Sequence, residues 1–321
     1  MQFISEQDVA EAASALFSEL ITALGCAFSD LAAGDAANIP RRRSVLPGGR
    51  RLQEMGGSFC WHGTSYIGTK TYASGSPFRG APGLVLLYDA NVGEVAAAIE
   101  AKTLGAWRTS AASALMISKL SQVRTSKAVI FGAGKQASWQ LRGLLSVRPD
   151  IELVQVWSRD VQRSADFCGR DGLPADVRLA PIATSAEVAK DVDVLITATK
   201  SSSPLVSLKA VGEHTHVSAV GANQPQKREL DADLVAGADS IYIDDVAQAM
   251  GEAGDLLAAK EEIAYDWSNV RPVSEIFQDG YVAGQDGITI FESQGIGLED
   301  TVAAAILYEY IKAKPGRDAK R

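Results

Sequence analysis

The chain has 321 residues, is 46% hydrophobic and 22% charged, and carries a formal net charge of −8. That length holds one large or two medium domains, and the composition is that of a globular protein. The acidic balance argues against nucleic acid as the main partner, and no run of about 18 apolar residues reads as a membrane span.

In chain order, the start MQFISEQDV lacks the basic and apolar regions of a signal peptide. Ser5-Glu6-Gln7-Asp8 has the form of a capping box. Behind it Val9, Leu16, Phe17, Leu20, Ile21, Leu24, Phe28 and Leu31 recur at helical spacing. They predict a helical region that ends near Gly34. The basic cluster Arg41, Arg42, Arg43, Arg50 and Arg51 reads either as a solvated loop or as a site for a small anion. Residues 58–71 and 83–98 are rich in β-formers, with turn chemistry at Tyr88-Asp89-Ala90-Asn91-Val92-Gly93. They predict an antiparallel sheet.

Residues 104–120 read as a helix with many small residues, suited to close packing. From Lys127 the rhythm becomes strand, helix, strand, helix. Candidate strands are 128–131, 153–157, 192–198, 214–220 and 240–244, an alternation that predicts a doubly wound parallel sheet. Residues 298–313 form a long apolar helix after Gln294-Gly295-Ile296-Gly297.

Cys26, Cys60 and Cys168 are odd in number and far apart. They show neither a disulfide framework nor zinc spacing. His214 and His216 alternate on a predicted strand and would share a face, but no third ligand stands at a useful spacing, so no metal site is expected. These features together predict a reducing, cytoplasmic setting.

The chemistry-bearing motif is Gly132-Ala133-Gly134-Lys135-Gln136-Ala137, which follows a strand and opens a helix. Gly132 allows the tight turn, Gly134 lets backbone approach a pyrophosphate, and Ala137 takes the packing position. The helix N-terminus then offers N–H groups to the phosphates. The second strand ends in Trp157-Ser158-Arg159. An acid there would favour NAD(H); Ser158 and Arg159 suit a 2′-phosphate, so the expected cofactor is NAD(P)(H), leaning to NADP(H). Asp160 stands close enough to contact a ribose. Thr197 and Thr199, at a later strand end, either face the cofactor or simply favour β structure.

These residues resemble the ornithine cyclodeaminase and μ-crystallin family. The resemblance covers nearly the whole chain. It rests on Gly68-Thr69-Lys70, Trp107-Arg108-Thr109-Ser110-Ala111-Ala112-Ser113-Ala114, the glycine turn, Val220-Gly221-Ala222-Asn223-Gln224-Pro225 with Arg228-Glu229-Leu230-Asp231, and Gly297-Leu298-Glu299-Asp300-Thr301. It implies an α/β fold. A Rossmann-type doubly wound parallel sheet, residues 121–297, is inserted into an α+β substrate-binding and dimerisation domain with an antiparallel sheet, residues 1–120 and 298–321. The resemblance also implies a homodimer and adds Val220, Gly221 and Gly297 to the cofactor-binding set.

In such proteins the substrate carboxylate meets cations at positions matching Arg43, Lys70 and Arg108; Arg41 or Arg42 could replace Arg43 in a shifted register. The residue types suit the task. Arginine grips a carboxylate bidentately, and a lysine among other cations can give a proton to an imine. Each also has a plainer reading. Lys70 could be a surface lysine on a strand. Arg108, read as standing near a helix start, could pair with an acidic neighbour. Met55, Phe59, Trp61 and His62 could shape a pocket or fill the core.

Asn223 departs from the family. Ornithine cyclodeaminases carry aspartate at the matching place, and an amide has no proton to exchange near neutral pH. Asn223 could also be a turn residue. The expected function is therefore NAD(P)H-dependent interconversion of a small 2-imino acid, a ketimine or iminosuccinate-like compound, and its L-amino acid, with Lys70, Arg108 and Asn223 at the reacting centre. The alternatives are an ammonia-releasing cyclodeaminase that tolerates Asn223, and a non-enzymatic, NADP-dependent ligand-binding protein. The expected partner is a small amino or imino acid, without nucleic acid or membrane.

Overall fold

The chain forms two units, residues 1–111 with 296–321 and residues 112–295. The computed structural model describes residues 1–78, 83–122, 124–170, 177–188, 191–278, 280–281 and 287–314. The chain opens with β1 (Gln2–Ile4), α1 (Glu6–Ala13), α2 (Phe17–Ala33), β2 (Ala37–Leu46), β3 (Arg50–Trp61), β4 (Thr64–Ser74), β5 (Gly83–Asp89), β6 (Glu94–Glu100) and α3 (Ala101–Leu120). It continues through β7 (Lys127–Phe131), α4 (Lys135–Val147), β8 (Leu153–Trp157), α5 (Val161–Cys168), β9 (Arg178–Ile182), β10 (Val194–Thr197), β11 (Ser202–Val206) and β12 (His216–Ala219). Then come β13 (Arg228–Leu230), α6 (Ala232–Gly237), β14 (Ser240–Ile243), α7 (Val246–Glu252), α8 (Gly254–Ile263), β15 (Val270–Pro272), β16 (Thr289–Glu292) and α9 (Gly297–Lys312). No single helix among the described residues is long and apolar enough to cross a membrane.

The first unit is built on a six-stranded sheet in the order β1-β6-β5-β4-β3-β2. Strands β2 to β6 are antiparallel, as the β-rich stretches predict; β1 pairs parallel with β6 at the edge. The basic cluster does not lie in a loop. Arg41, Arg42 and Arg43 stand on β2, and Arg50 and Arg51 begin β3. The N-terminal helical region is two helices, bent by 93° between α1 and α2. Ser5 and Asp8 close the expected capping box on α1, and Gly34 ends α2 in the left-handed conformation. Leu16 and Phe17 at the bend and Leu20, Leu24 and Phe28 along α2 are buried.

One face of this sheet is the core. Met55, Phe59, Val85, Leu87 and Ile99 share it and are buried. Helix α9 lies on that face and is apolar nearly all round, as a helix inside a core must be. Its first turn rides on backbone. A Cβ at Gly57 would stand 2.6 Å from Leu298 Cα, and one at Gly68 would stand 2.3 Å from Thr301 Oγ1. Both strand positions must be bare for α9 to seat.

The second unit is an eight-stranded, wholly parallel sheet in the order β15-β14-β16-β12-β10-β7-β8-β9. Apolar clusters lie on its two faces, as double winding requires. The predicted strands are present, but β9, β15 and β16 escape the sequence reading, and β16 takes the place between β12 and β14. The short pair β11 and β13 forms a separate two-stranded sheet. His214 and His216 do not share a strand face. His214 precedes β12 and is exposed, whereas His216 is buried within it, between Thr289 Oγ1 (2.9 Å) and Ser218 Oγ (3.1 Å). Burial, with Arg148 nearby, lowers its pKa to about 3, so it is a neutral core histidine.

Candidate active site

The first unit gathers three charged side chains from elements far apart in sequence. Lys70 on β4 donates to Asp300 Oδ1 at 2.9 Å, and Arg108 on α3 donates to the same oxygen through Nε at 3.1 Å. Arg108 Nη1 also reaches Glu299 Oε2 at 2.7 Å. Asp300 and Glu299 lie in the first turn of α9. Arg108 is not near a helix start. Helix α3 begins at Ala101, so Arg108 stands in its interior, and its partners are side chains rather than the macrodipole. One turn earlier, Gly105 makes room. A Cβ there would stand 3.3 Å from Lys70 Nζ.

Burial lowers the Lys70 pKa; Asp300 opposes the shift, while Arg108 and Arg41 add to it. Burial would raise the Asp300 carboxyl, but Arg108 and Lys70 outweigh it and hold it below the usual carboxylate range. Asp300 Oδ2 is buried without a hydrogen-bond partner among the described residues. The result is a lysine with weakened hold on its proton beside a fixed guanidinium, both bonded to Asp300, with Glu299 a second acid on Arg108.

The basic residues of β2 divide. Arg41, in a bulge with Pro40 opposite Met55, stands close enough to Lys70 to act on its pKa. Arg42 pairs with Glu54 on the other side of the strand. Arg43 pairs with Gln53 and donates to its Oε1 at 3.2 Å, one row beyond Lys70. The shifted register therefore brings Arg41, not Arg43, to the Lys70 group. Of the other pocket candidates, Met55 pairs with Lys70. Phe59, Trp61 and His62 run toward the far end of α9, where His62 meets Glu309.

In the second unit, the glycine turn has the form a dinucleotide needs. Gly132 takes φ 130°, and a Cβ there would stand 2.7 Å from Ala198 O. Around Gly134 nothing lies within 4 Å of a Cβ position, and no side chain caps α4, which opens with Lys135 and Gln136. A helix N-terminus behind such a turn presents the positive end of its dipole to an anion. Arg159 is exposed past the end of β8. The Asp160 carboxylate caps α5, its Oδ1 accepting from Gln162 N at 3.0 Å.

Other cofactor candidates take different places. Thr197 is fully buried and donates to Glu229 Oε2 at 2.8 Å, turning inward rather than toward an open cleft. Thr199 N and Gly221 N donate to the same carboxylate at 2.6 and 2.8 Å. Val220 is buried just after β12. Gly297 lies in the first unit, where a Cβ would stand 2.2 Å from Gly56 N; it is small for packing.

Asn223 lies in the loop after β12. Gly254 N, opening α8, donates to Ala222 O at 3.1 Å, and Lys227 Nζ donates to Lys200 O at 2.6 Å. Asp255 Oδ1 accepts from Glu229 N and Leu230 N at 2.7 and 2.8 Å. The sequence marks Glu229, Asp255 and Glu292 only weakly, each as an acid directly beside a buried apolar residue, Leu230, Leu256 and Phe291.

Burial first, then Glu229, raises the Asp255 pKa to about 8, with Arg228 partly opposing. Burial, then Asp255 and Glu229, raises that of Glu292 as well; Gln294 opposes and Asp244 adds to it. Folded Asp255 thus keeps a proton that an unfolded aspartate has lost. Stability from this carboxyl is complete below the ordinary value of 3.8 and falls as pH rises through about 8. Urea titrations from pH 5 to 9 should show a declining midpoint. Asp255→Asn, which keeps the accepting oxygen, should flatten that decline by up to about 1.4 kcal/mol per pH unit. An identical slope in the variant would remove Asp255 as its source.

Residues 2–315 match the Ornithine cyclodeaminase/mu-crystallin family. The chain is 30% identical over 314 residues to the Delta(1)-pyrroline-2-carboxylate/Delta(1)-piperideine-2-carboxylate reductase of Azospirillum brasilense, covering 96% of each. It is 34% identical over 239 residues to the iminosuccinate reductase of Paracoccus denitrificans, covering 72% of this chain and 71% of that one. Its fold is similar to that of an archaeal alanine dehydrogenase dimer with bound NAD, at a TM-score of 0.86 and 25% identity, covering 98% of this chain and 97% of that one.

Proposed function

The chain belongs to the ornithine cyclodeaminase/mu-crystallin family, and from that footing we propose that it is an NAD(P)H-dependent reductase of a small 2-imino acid. The observation that carries this reading is the single oxygen of Asp300 that holds both Lys70 and Arg108. Arg108 grips the substrate carboxylate and fixes the plane of the imine carbon. Arg41 adds positive charge to the same group. Lys70, with its lowered pKa, gives a proton to the imine nitrogen. The dinucleotide, when bound at Gly132, Gly134, Lys135 and Gln136, supplies the hydride, so the imine carbon gains C–H and the C=N π pair goes to nitrogen. Asn223 can orient a water or substrate amine but cannot exchange a proton, which suits one reductive step better than a deaminating ring closure.

NADPH is the cofactor this reading favours, because Arg159 is exposed while the Asp160 carboxylate is engaged at Gln162 N. One screen tests both points: cyclic imines, and 2-oxo acids with ammonia, each with NADH and NADPH. Oxidation of the cofactor is expected, with kcat/KM about 10-fold or more higher for NADPH. Asn223→Asp should reduce the same imine at a similar rate. No turnover across the screen removes the reductase assignment. Ammonia release from ornithine without net cofactor change would instead identify a cyclodeaminase.

The chain works as a homodimer in this reading, in the cytoplasm. Away from its core, the six-stranded sheet presents Phe3, Ile39, Ile67 and Leu84, all exposed. Exposed apolar side chains on one sheet face of a small unit call for a cover, and a second copy supplies one by two-fold symmetry. Light scattering should give twice the 33.9 kDa chain mass; a monomer at micromolar concentration would refute this.

A further inference from the structure

Resting on the reductase reading, we propose that the imino acid is a short dicarboxylate, and that Arg43, with Gln53 and Tyr72, takes its second carboxylate. The argument is one of register. Residues directly opposite on paired strands share a face, as do positions two apart on one strand. Met55 pairs with Lys70, and Gln53, two positions away, pairs with both Arg43 and Tyr72. Arg43, Gln53 and Tyr72 therefore form the next row on the face that carries Lys70.

The side chains bear this out. Gln53 Oε1 accepts from Arg43 Nε at 3.2 Å and from Tyr72 Oη at 2.8 Å. Gln53 Nε2 donates to Ser74 Oγ at 2.9 Å, and the residue is 7% exposed. Lys70 Nζ stands 5.8 Å from the Tyr72 ring centroid, which joins the two rows.

The two rows are about 7 Å apart along the strands. The first holds cations for the carboxylate beside the imine. The second places a guanidinium, a phenol and a buried amide where the rest of the substrate extends. A pocket for a cyclic imine or an alkyl side chain would be lined there by apolar groups. A four- or five-carbon imino dicarboxylate puts its second anion within reach of Arg43, and Gln53 orients that guanidinium through Nε. Arg42, facing the other way with Glu54, has no part.

The test compares oxaloacetate plus ammonia with pyruvate plus ammonia and with pyrroline-2-carboxylate, for the wild type, Arg43→Gln and Arg43→Lys. Calorimetry of the cofactor-loaded protein with succinate and with butyrate accompanies it. The wild type should favour the dicarboxylic imine by at least about 10-fold in kcat/KM. In Arg43→Gln the dicarboxylate-to-monocarboxylate ratio should fall about 30-fold, chiefly through KM, with partial rescue by lysine. Succinate should bind the wild type more tightly than butyrate, and Arg43→Gln should erase the difference. A wild type that prefers pyrroline-2-carboxylate, or a variant with an unchanged ratio, overturns the proposal. No imine turnover with Arg43-dependent succinate binding overturns the reductase reading and leaves the subsite standing.

Discussion

Asp300→Asn is expected to lower kcat/KM for imine reduction by about 100-fold and stability by about 3–5 kcal/mol. Asparagine keeps the shape of the acid and can still accept at one oxygen, but it cannot neutralise two buried cations. Lys70 and Arg108 then repel each other within a largely buried site, and the Lys70 pKa, already lowered by burial, falls further. Glu299 retains Arg108, so Lys70 loses the most. A double variant separates charge from chemistry. Lys70→Met with Asp300→Asn removes both members of one pair and should recover much of the stability, while activity stays lost because the proton donor is gone. Steady-state kinetics and urea denaturation on the three proteins decide the matter. A single variant with wild-type stability would show that the cations need no counter-ion.

Gly254→Ala is expected to destabilise the second unit by about 3 kcal/mol or more. A Cβ at this position would stand 1.8 Å from Lys227 O and 2.7 Å from Gln224 O. Both are backbone atoms of the loop that carries Asn223, and neither can swing aside as a long side chain could. The loop must lift from the start of α8, and the bond from Gly254 N to Ala222 O breaks with it. Asp255 then loses its hold on Glu229 N and Leu230 N, and with them the seat of Glu229 beneath Thr199 and Gly221. Thermal unfolding should report the loss. An unshifted Tm is incompatible with this contact.

The parts of the site legible in the sequence were those that chemistry writes locally. Gly132, Gly134 and the strand and helix around them announce a phosphate cradle within a few residues. Lys70 and Arg108 were legible through the family's motifs. Their counter-ion was not. Asp300 lies 230 residues from Lys70 and 192 from Arg108, and no periodicity reports a pairing across such a span. Strand β2 escaped because it is largely exposed and rich in arginine, so it lacks the alternation by which a half-buried strand is read. The bulge at Pro40 and Arg41 then decided which arginine faces Lys70, a detail of pairing that a single strand's sequence does not contain. Thr197 stands at a strand end, as its sequence suggests, but the acid that its hydroxyl meets belongs to another strand, which the sequence around Thr197 does not report.

The first unit is discontinuous, and this bears on how the protein is made. The ribosome releases residues 1–111 long before it reaches 296, because the whole second unit lies between. At ordinary synthesis rates that interval is about 10–40 s. Throughout it the nascent sheet lacks α9, the bare backbone of Gly57 and Gly68 has nothing seated on it, and Lys70 and Arg108 have no acid between them. The second unit meets no such delay, since its strands are contiguous. Released chains that end at residue 295 should therefore display a folded insert after an open, protease-sensitive and chaperone-binding N-terminal half.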